Sequence, residues 1–67
     1  MEIIVNDNAY HYEATPSLFQ VLEDLELNTQ KGIAVAVNNE VILKKEWTKL
    51  NLKNQDRVLI ITATQGG

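Results

Sequence analysis

A single helical stripe, set in a chain otherwise patterned with the period of a strand, is the feature that most restricts this 67-residue sequence. Leu18, Val21, Leu22 and Leu25 fall at i, i+3, i+4 and i+7, on one side of a helix, while Gln20, Glu23, Asp24 and Glu26 take the watered side. A helix with one apolar side must cover another element, and the flanking segments supply strands. Met1, Ile3 and Val5 alternate with Glu2, Ile4 and Asn6, and Asp7-Asn8 offers residues that tolerate a left-handed turn. Tyr10 and Tyr12 then alternate with His11 and Glu13 on a second strand.

Thr15-Pro16 predicts the helix start, with threonine as the N-cap and proline at the first helical position, where its missing N–H costs nothing. Asn28 to Gly32 predicts the helix exit and a loop. Ile33 to Val37, the pair Asn38-Asn39, and Val41-Ile42-Leu43 read as a second hairpin. Lys44 to Leu52 reads as a short helical turn or irregular crossover anchored by Trp47. After a turn at Asn54-Gln55-Asp56, Arg57 to Ala63 is the last strand, and 64–67 is expected to be a flexible C-terminal tail. The order is strand, strand, helix, strand, strand, crossover, strand. It predicts one α+β domain over 1–67, a mixed sheet of four or five strands with one helix packed on one face.

At this length there is room for one core, and without cysteine neither a disulfide nor a thiolate metal site can reinforce it. Small secreted scaffolds lean on disulfides, so their absence points to the cytoplasm. The N-terminus lacks the basic and long apolar stretches of a secretion signal, and no apolar run approaches the ~20 residues that span a bilayer, so no membrane partner is expected. Nine Asp and Glu against six Lys and Arg give a net charge of −3. That balance argues against nucleic acid, whose phosphates demand a basic stripe, and favours basic clefts on partner proteins.

The residues that could do covalent chemistry are few. Ser17 and His11 are the sole serine and histidine, and their predicted places, a first helical turn and a solvent-facing strand position, suit capping and solvation better than a nucleophile and its base. His11 with Glu13 is too small a set for a metal, so no metal site is expected, and the run Glu23, Asp24, Glu26 reads as a solvated helix face. The glycines at 32, 66 and 67 do not make a phosphate-cradling loop.

What remains is Gly66-Gly67. Two final glycines arise by chance in roughly 0.5% of chains, which is rare enough to weigh against a frayed end of no consequence. Placed just past a strand, they carry a terminal carboxylate on a slim backbone that a narrow catalytic channel can admit. At neutral pH that carboxylate is an anion and a poor acyl donor, so it needs activation by a partner. Attack on the α-phosphate of ATP would give an acyl adenylate, and a sulfur nucleophile could then displace AMP.

The segments Ala34-Val35-Ala36-Val37-Asn38-Asn39-Glu40-Val41, Glu46-Trp47 and Asp56-Arg57-Val58, with the closing Gly66-Gly67, resemble the sulfur carrier family of thiamine biosynthesis, the ThiS family. The resemblance covers essentially the whole chain and implies a ubiquitin-like β-grasp fold. It further implies that Gly67 is adenylated and then converted to a thiocarboxylate. An adenylating enzyme of the ubiquitin-activating type would use the ATP, with no cofactor bound by this chain. A cysteine-derived persulfide would supply sulfur, and a thiazole synthase would consume it, so the chain would be a protein co-substrate and not an enzyme. Where the family often has glycine in its turns this chain has Asn39 and Gln55. Two alternatives keep the same tail: a molybdopterin-synthase-type sulfur carrier, and a ubiquitin-like modifier joined to lysine through Gly67.

Strand alternation also predicts two sheet faces. Ile3, Val5, Val35, Val37, Val58 and Ile60 should meet the helix, leaving Ile4, Ala36, Leu59 and Ile61 on the far side. That far side, with Gln65 and Gly66, is the expected partner-binding surface, unless the segment from Lys44 to Leu52 covers it.

Overall fold

The structure is a computed structural model that describes residues 1–28 and 31–62. Strands β1 (Glu2–Val5), β2 (Asn8–His11), β3 (Ile33–Val37), β4 (Glu40–Ile42) and β5 (Arg57–Thr62) form one mixed sheet in the order β2-β1-β5-β3-β4. β1 and β5 are parallel neighbours, and the other three pairings are antiparallel. The one α-helix, α1 (Leu18–Asp24), and a short 3-10 turn (Lys44–Glu46) complete the described elements. The last strand therefore lies at the centre of the sheet, braced on both sides.

Two tight turns set the register. Asn6 and Asp7 (φ 47° and 72°) join β1 to β2, and Asn38 and Asn39 (φ 50° and 71°) join β3 to β4. Both pairs have the two positive φ values of a type I′ hairpin, whose twist matches that of the strands, and Asn and Asp are the side chains that best tolerate them. The first turn thus falls one residue earlier than the Asp7-Asn8 expected, because Val5 pairs with Asn8 and leaves Asn6-Asp7 as the loop. Gln55 occupies the same left-handed region at φ 68°.

The helix begins at Ser17, not Thr15. Ser17 is the N-cap, its Oγ accepting from Gln20 N at 3.1 Å. Pro16 is buried outside the helix, where its carbonyl accepts from Leu52 N at 2.9 Å. The remaining first-turn donors are met by the crossover: Leu18 N donates to Leu50 O at 2.8 Å and Phe19 N to Trp47 O at 3.0 Å. Partners distant in sequence replace the local cap that Thr15 would have provided. The exit comes earlier than Asn28. Glu26 N donates to Glu23 O and Leu27 N to Leu22 O, with Glu26 at φ 61°, which is a Schellman closure carrying glutamate at the position glycine usually fills.

The core lies between the sheet and the helix. Ile3, Val5, Val35, Val37, Val58 and Ile60 all bury themselves there, as alternation predicts, against Leu18, Val21 and Leu22. Leu25 packs at the margin. Trp47 and Leu52 are buried in this same layer, and Trp47 Nε1 donates to Ile42 O at 3.2 Å. The crossover thus closes the open end of the helix layer, and no described element covers the far face of the sheet. No buried side-chain polar atom among the described residues lacks a partner.

Candidate functional site

Positions 63–67 lie outside the described residues, and with them the Gly67, Gly66 and Gln65 of the expected site and the expected tail at 64–67; what is described is the strand that precedes them. β5 is paired to its last residue. Thr62 pairs with Ile33 across from β3, and the ladder runs back through Ile61 with Ala34, Ile60 with Val35, Leu59 with Ala36 and Val58 with Val37. On the β1 side, backbone pairing covers only Arg57 and Val58, because β1 turns away after Val5. Asn6 extends it: Ile60 N donates to its Oδ1 at 2.8 Å and its Nδ2 donates to Ile60 O at 3.2 Å. A side-chain amide thereby imitates one more strand residue and holds β5 almost to its last turn of pleat.

The start of β5 is tied down as firmly. Arg57 N donates to Asn38 Oδ1 at 3.0 Å, Asn38 Nδ2 to Asp56 Oδ1 at 3.0 Å, and Lys53 N to Asp56 Oδ2 at 2.7 Å. The strand leading to the tail is therefore a fixed base.

Four residues of the expected partner surface share one face. Alternation along the paired strands places Ile4, Ala36, Leu59 and Ile61 together on the side away from the helix, with Leu59 and Ile61 both exposed and Ile4 and Ala36 half-buried. The expectation missed Ala34 and Val41. Val41 pairs with Ala36 and is exposed on the same face. Its place was legible, because a two-residue turn after Val37 forces β4 to continue the alternation of β3.

The other candidates are occupied structurally. Ser17 caps the helix, and His11 Nδ1 lies 3.0 Å from Glu2 Oε2 in an exposed pair, so they do not combine. Asp24 accepts from Tyr12 Oη at 3.0 Å and from Gln20 Nε2 at 2.9 Å, which ties the end of the first hairpin to the helix. Partial burial and the Asp24 carboxylate beside it push the Tyr12 hydroxyl up to about 12, since both disfavour the phenolate. Among the described residues no cluster of three or more His, Asp or Glu could hold a metal, and no helix is long and apolar enough to cross a membrane.

A mixed five-strand sheet with one helix across it and a parallel pair at its centre define a ubiquitin-like β-grasp protein. Two solved structures share the fold over the whole of this chain. A crystal structure of the thiamine biosynthesis protein ThiS from Geobacter metallireducens superposes with a TM-score of 0.81 at 20% identity, covering 100% of both chains. A solution structure of a thiamine biosynthesis protein from the same organism gives 0.79 at 20% identity, covering 88% of that chain. In sequence, the chain is 28% identical over 67 residues to the sulfur carrier protein ThiS of Escherichia coli (strain K12), an alignment that takes in 100% of both. It is also 29% identical over 63 residues to the uncharacterized protein ycf40 of Trieres chinensis, covering 94% of this chain and 85% of that one. The sequence model of the ThiS family matches residues 3–67, and the chain belongs to that family.

Proposed function

We propose that this protein is a sulfur carrier for thiazole formation in thiamine biosynthesis, and that Gly67 is the atom-bearing end. The observation that carries the reading is the family match through residue 67, together with the whole-chain alignment to a sulfur carrier protein. An adenylating partner of the ubiquitin-activating type brings ATP to the tail. A Gly67 carboxylate oxygen attacks the α-phosphorus, pyrophosphate leaves, and the acyl adenylate forms. The terminal sulfur of a cysteine-derived persulfide attacks the carbonyl carbon and displaces AMP. Cleavage of the remaining sulfur–sulfur bond by a thiol leaves the thiocarboxylate, which a thiazole synthase consumes.

This chain contributes presentation, not catalysis. Its five residues after Thr62 span at most about 17 Å when extended, enough to enter an active-site channel while the sheet stays outside. Gln65 and Gly66 offer little bulk there, and Ile4, Ala36, Leu59 and Ile61 form the apolar face that meets the partner. A cytoplasmic location fits a protein that borrows its ATP.

The test is incubation with the adenylating enzyme, ATP and a persulfide source, followed by fragment-resolved mass spectrometry. The expected result is oxygen replaced by sulfur at Gly67. Fragmentation is required because oxidation of Met1 or Trp47 changes the intact mass almost equally. Removal of Gly67 should abolish the product and leave the unfolding transition in place. Conjugates to lysine would establish a protein modifier instead, and an unreactive wild-type tail would overturn the proposal.

A further inference from the structure

β4 (Glu40–Ile42) is an edge of the sheet, paired with β3 on one side and with no described element on the other. Which of its backbone groups are open follows from the ladder. Asn38 N donates to Arg57 O at 2.8 Å, next to the pair of Val37 with Val58, so the N–H and C=O of Val37 itself turn away from β5 and towards β4. Val37 and Glu40 are therefore a hydrogen-bonded pair, Ala36 and Val41 are not, and Val41 points its N–H and C=O outward. Leu43, still extended at φ −68° and ψ 147°, points its N–H the same way, while its carbonyl accepts from Glu46 N at 2.8 Å. Two donors and an acceptor thus stand open along this edge, where Val41 and Leu43 are both well exposed.

Beside the edge, on the helix side of the sheet, lie two hollows. Pairing with the buried Val37 and Val35 turns Glu40 and Ile42 to that side. One hollow, of about 280 Å³, is lined by Ile42, Leu43 and Leu50 and rimmed by Glu46 and Lys49. The other, of about 240 Å³, lies towards the hairpin turn and includes Glu40, Asp56, Asn51 and Lys53. They adjoin, because Glu40, Ile42 and Leu50 line both.

This arrangement fits one kind of occupant. A strand laid antiparallel to β4, with one residue opposite Val41, completes both Val41 bonds and accepts from Leu43 N–H, whereas a helix would leave all three groups unmet. The residues before and after that one point to the helix side, about 6.8 Å apart, one over each hollow. The first meets an apolar floor. The second meets the carboxylates of Glu40 and Asp56 against the single ammonium of Lys53. An acid facing inward from an edge strand discourages pairing with apolar edges, so the strand that pairs here must bring a cation.

We infer that the β4 edge binds an extended segment of a partner protein as a sixth strand, with an apolar side chain in the hollow of Ile42, Leu43 and Leu50 and a cationic one, two residues later, at Glu40 and Asp56. The inference goes beyond the sulfur-carrier reading and does not rest on it. β4 is two strands removed from β5, and its hollows lie on the opposite side of the sheet from Leu59 and Ile61.

The test uses the full chain, 15N-labelled, titrated with a capped heptapeptide of threonines carrying leucine third and lysine fifth. Two comparison peptides carry glutamate in place of the lysine, or an N-methyl group on the central threonine, which removes the donor to the Val41 carbonyl. The expected results are saturable amide shifts centred on Val41, Ile42, Leu43 and Leu50, slower hydrogen exchange at Val41 and Leu43, and at least tenfold weaker binding of both comparison peptides. Val41→Pro deletes an N–H that the fold does not use, at an edge where proline is tolerated. It should weaken the first peptide at least tenfold while the unfolding midpoint moves by no more than a few degrees; if it unfolds the chain, the N-methyl comparison decides alone. Shifts centred on α1 or β2, unchanged exchange at Val41 and Leu43, equal affinity for either comparison peptide, or concentration-dependent shifts of the same residues without peptide, marking a second copy as the occupant, would each overturn the inference. The sulfur-carrier reading fails only if wild-type Gly67 is never thiocarboxylated, which none of these measurements reads.

Discussion

Replacing Glu26 with glycine should stabilise this protein, and the magnitude follows from two features of one position. Glu26 holds φ 61° at the residue after the helix C-cap, where a side chain with a Cβ pays about 1–2 kcal/mol against its following carbonyl. Glycine removes that cost but returns roughly 0.4–1 kcal/mol through the greater freedom of the unfolded chain. Glu26 also puts a negative charge at the negative end of the helix dipole, a repulsion of about 0.3–1 kcal/mol at an exposed site. The net expectation is a gain of about 1 kcal/mol. In a domain of this size that is a rise of about 4–8 °C in the thermal midpoint. Urea unfolding of Glu26→Gly, Glu26→Asn and Glu26→Ala separates the contributions. Alanine relieves the charge alone, asparagine relieves the charge and part of the conformational cost, and glycine relieves both. Alanine matching glycine would refute the conformational argument, and a gain lost in high salt would assign it to the dipole.

Asn6→Ala should cost about 2 kcal/mol, since it strips β5 of both hydrogen bonds at Ile60. Asn6→Asp, which keeps the acceptor for Ile60 N–H, should lose less, and equal losses would count against the strand-mimic role. The Tyr12 hydroxyl is raised from 10.0 to about 12 in the fold, so its contribution is present below pH 10 and is lost as pH climbs through 12. Chemical unfolding from pH 9 to 12 should therefore show a fall in wild type that is shallower in Tyr12→Phe; parallel curves would contradict it. Leu59→Glu, placed on the uncovered face, should leave the unfolding midpoint within a few degrees and weaken binding to the adenylating enzyme at least tenfold, with unfolding or unchanged affinity as the contrary results.

Most of the core was legible because it is written in local periods. Strand alternation named Ile3, Val5, Val35, Val37, Val58 and Ile60, helical spacing named Leu18, Val21 and Leu22, and all nine are buried together. Asn38-Asn39 announced the second hairpin in place and Asp7-Asn8 the first within one residue, because tolerance of the left-handed turn is a property of single residues. The proposed chemical end, Gly66-Gly67, was chosen from the sequence alone, where no other motif competes for the role, and it lies outside the described residues.

Three things needed the tertiary structure. The helix start moved from Thr15 to Ser17 because the donors of its first turn are satisfied by Leu50 and Trp47, partners some thirty residues away that no local signal reveals. The reach of β5 depends on Asn6, whose side chain can complete a ladder only once a parallel neighbour, 54 residues distant, lies beside it. The far face takes its make-up from the setting of β3 between β5 and β4, which brings Ala34 and Ala36 between Leu59 and Ile61 on one side and Val41 on the other. Periodicity fixes which way each residue points, through the geometry of its own backbone. Which residues then stand side by side is decided by strand order, a matter of packing across the whole chain.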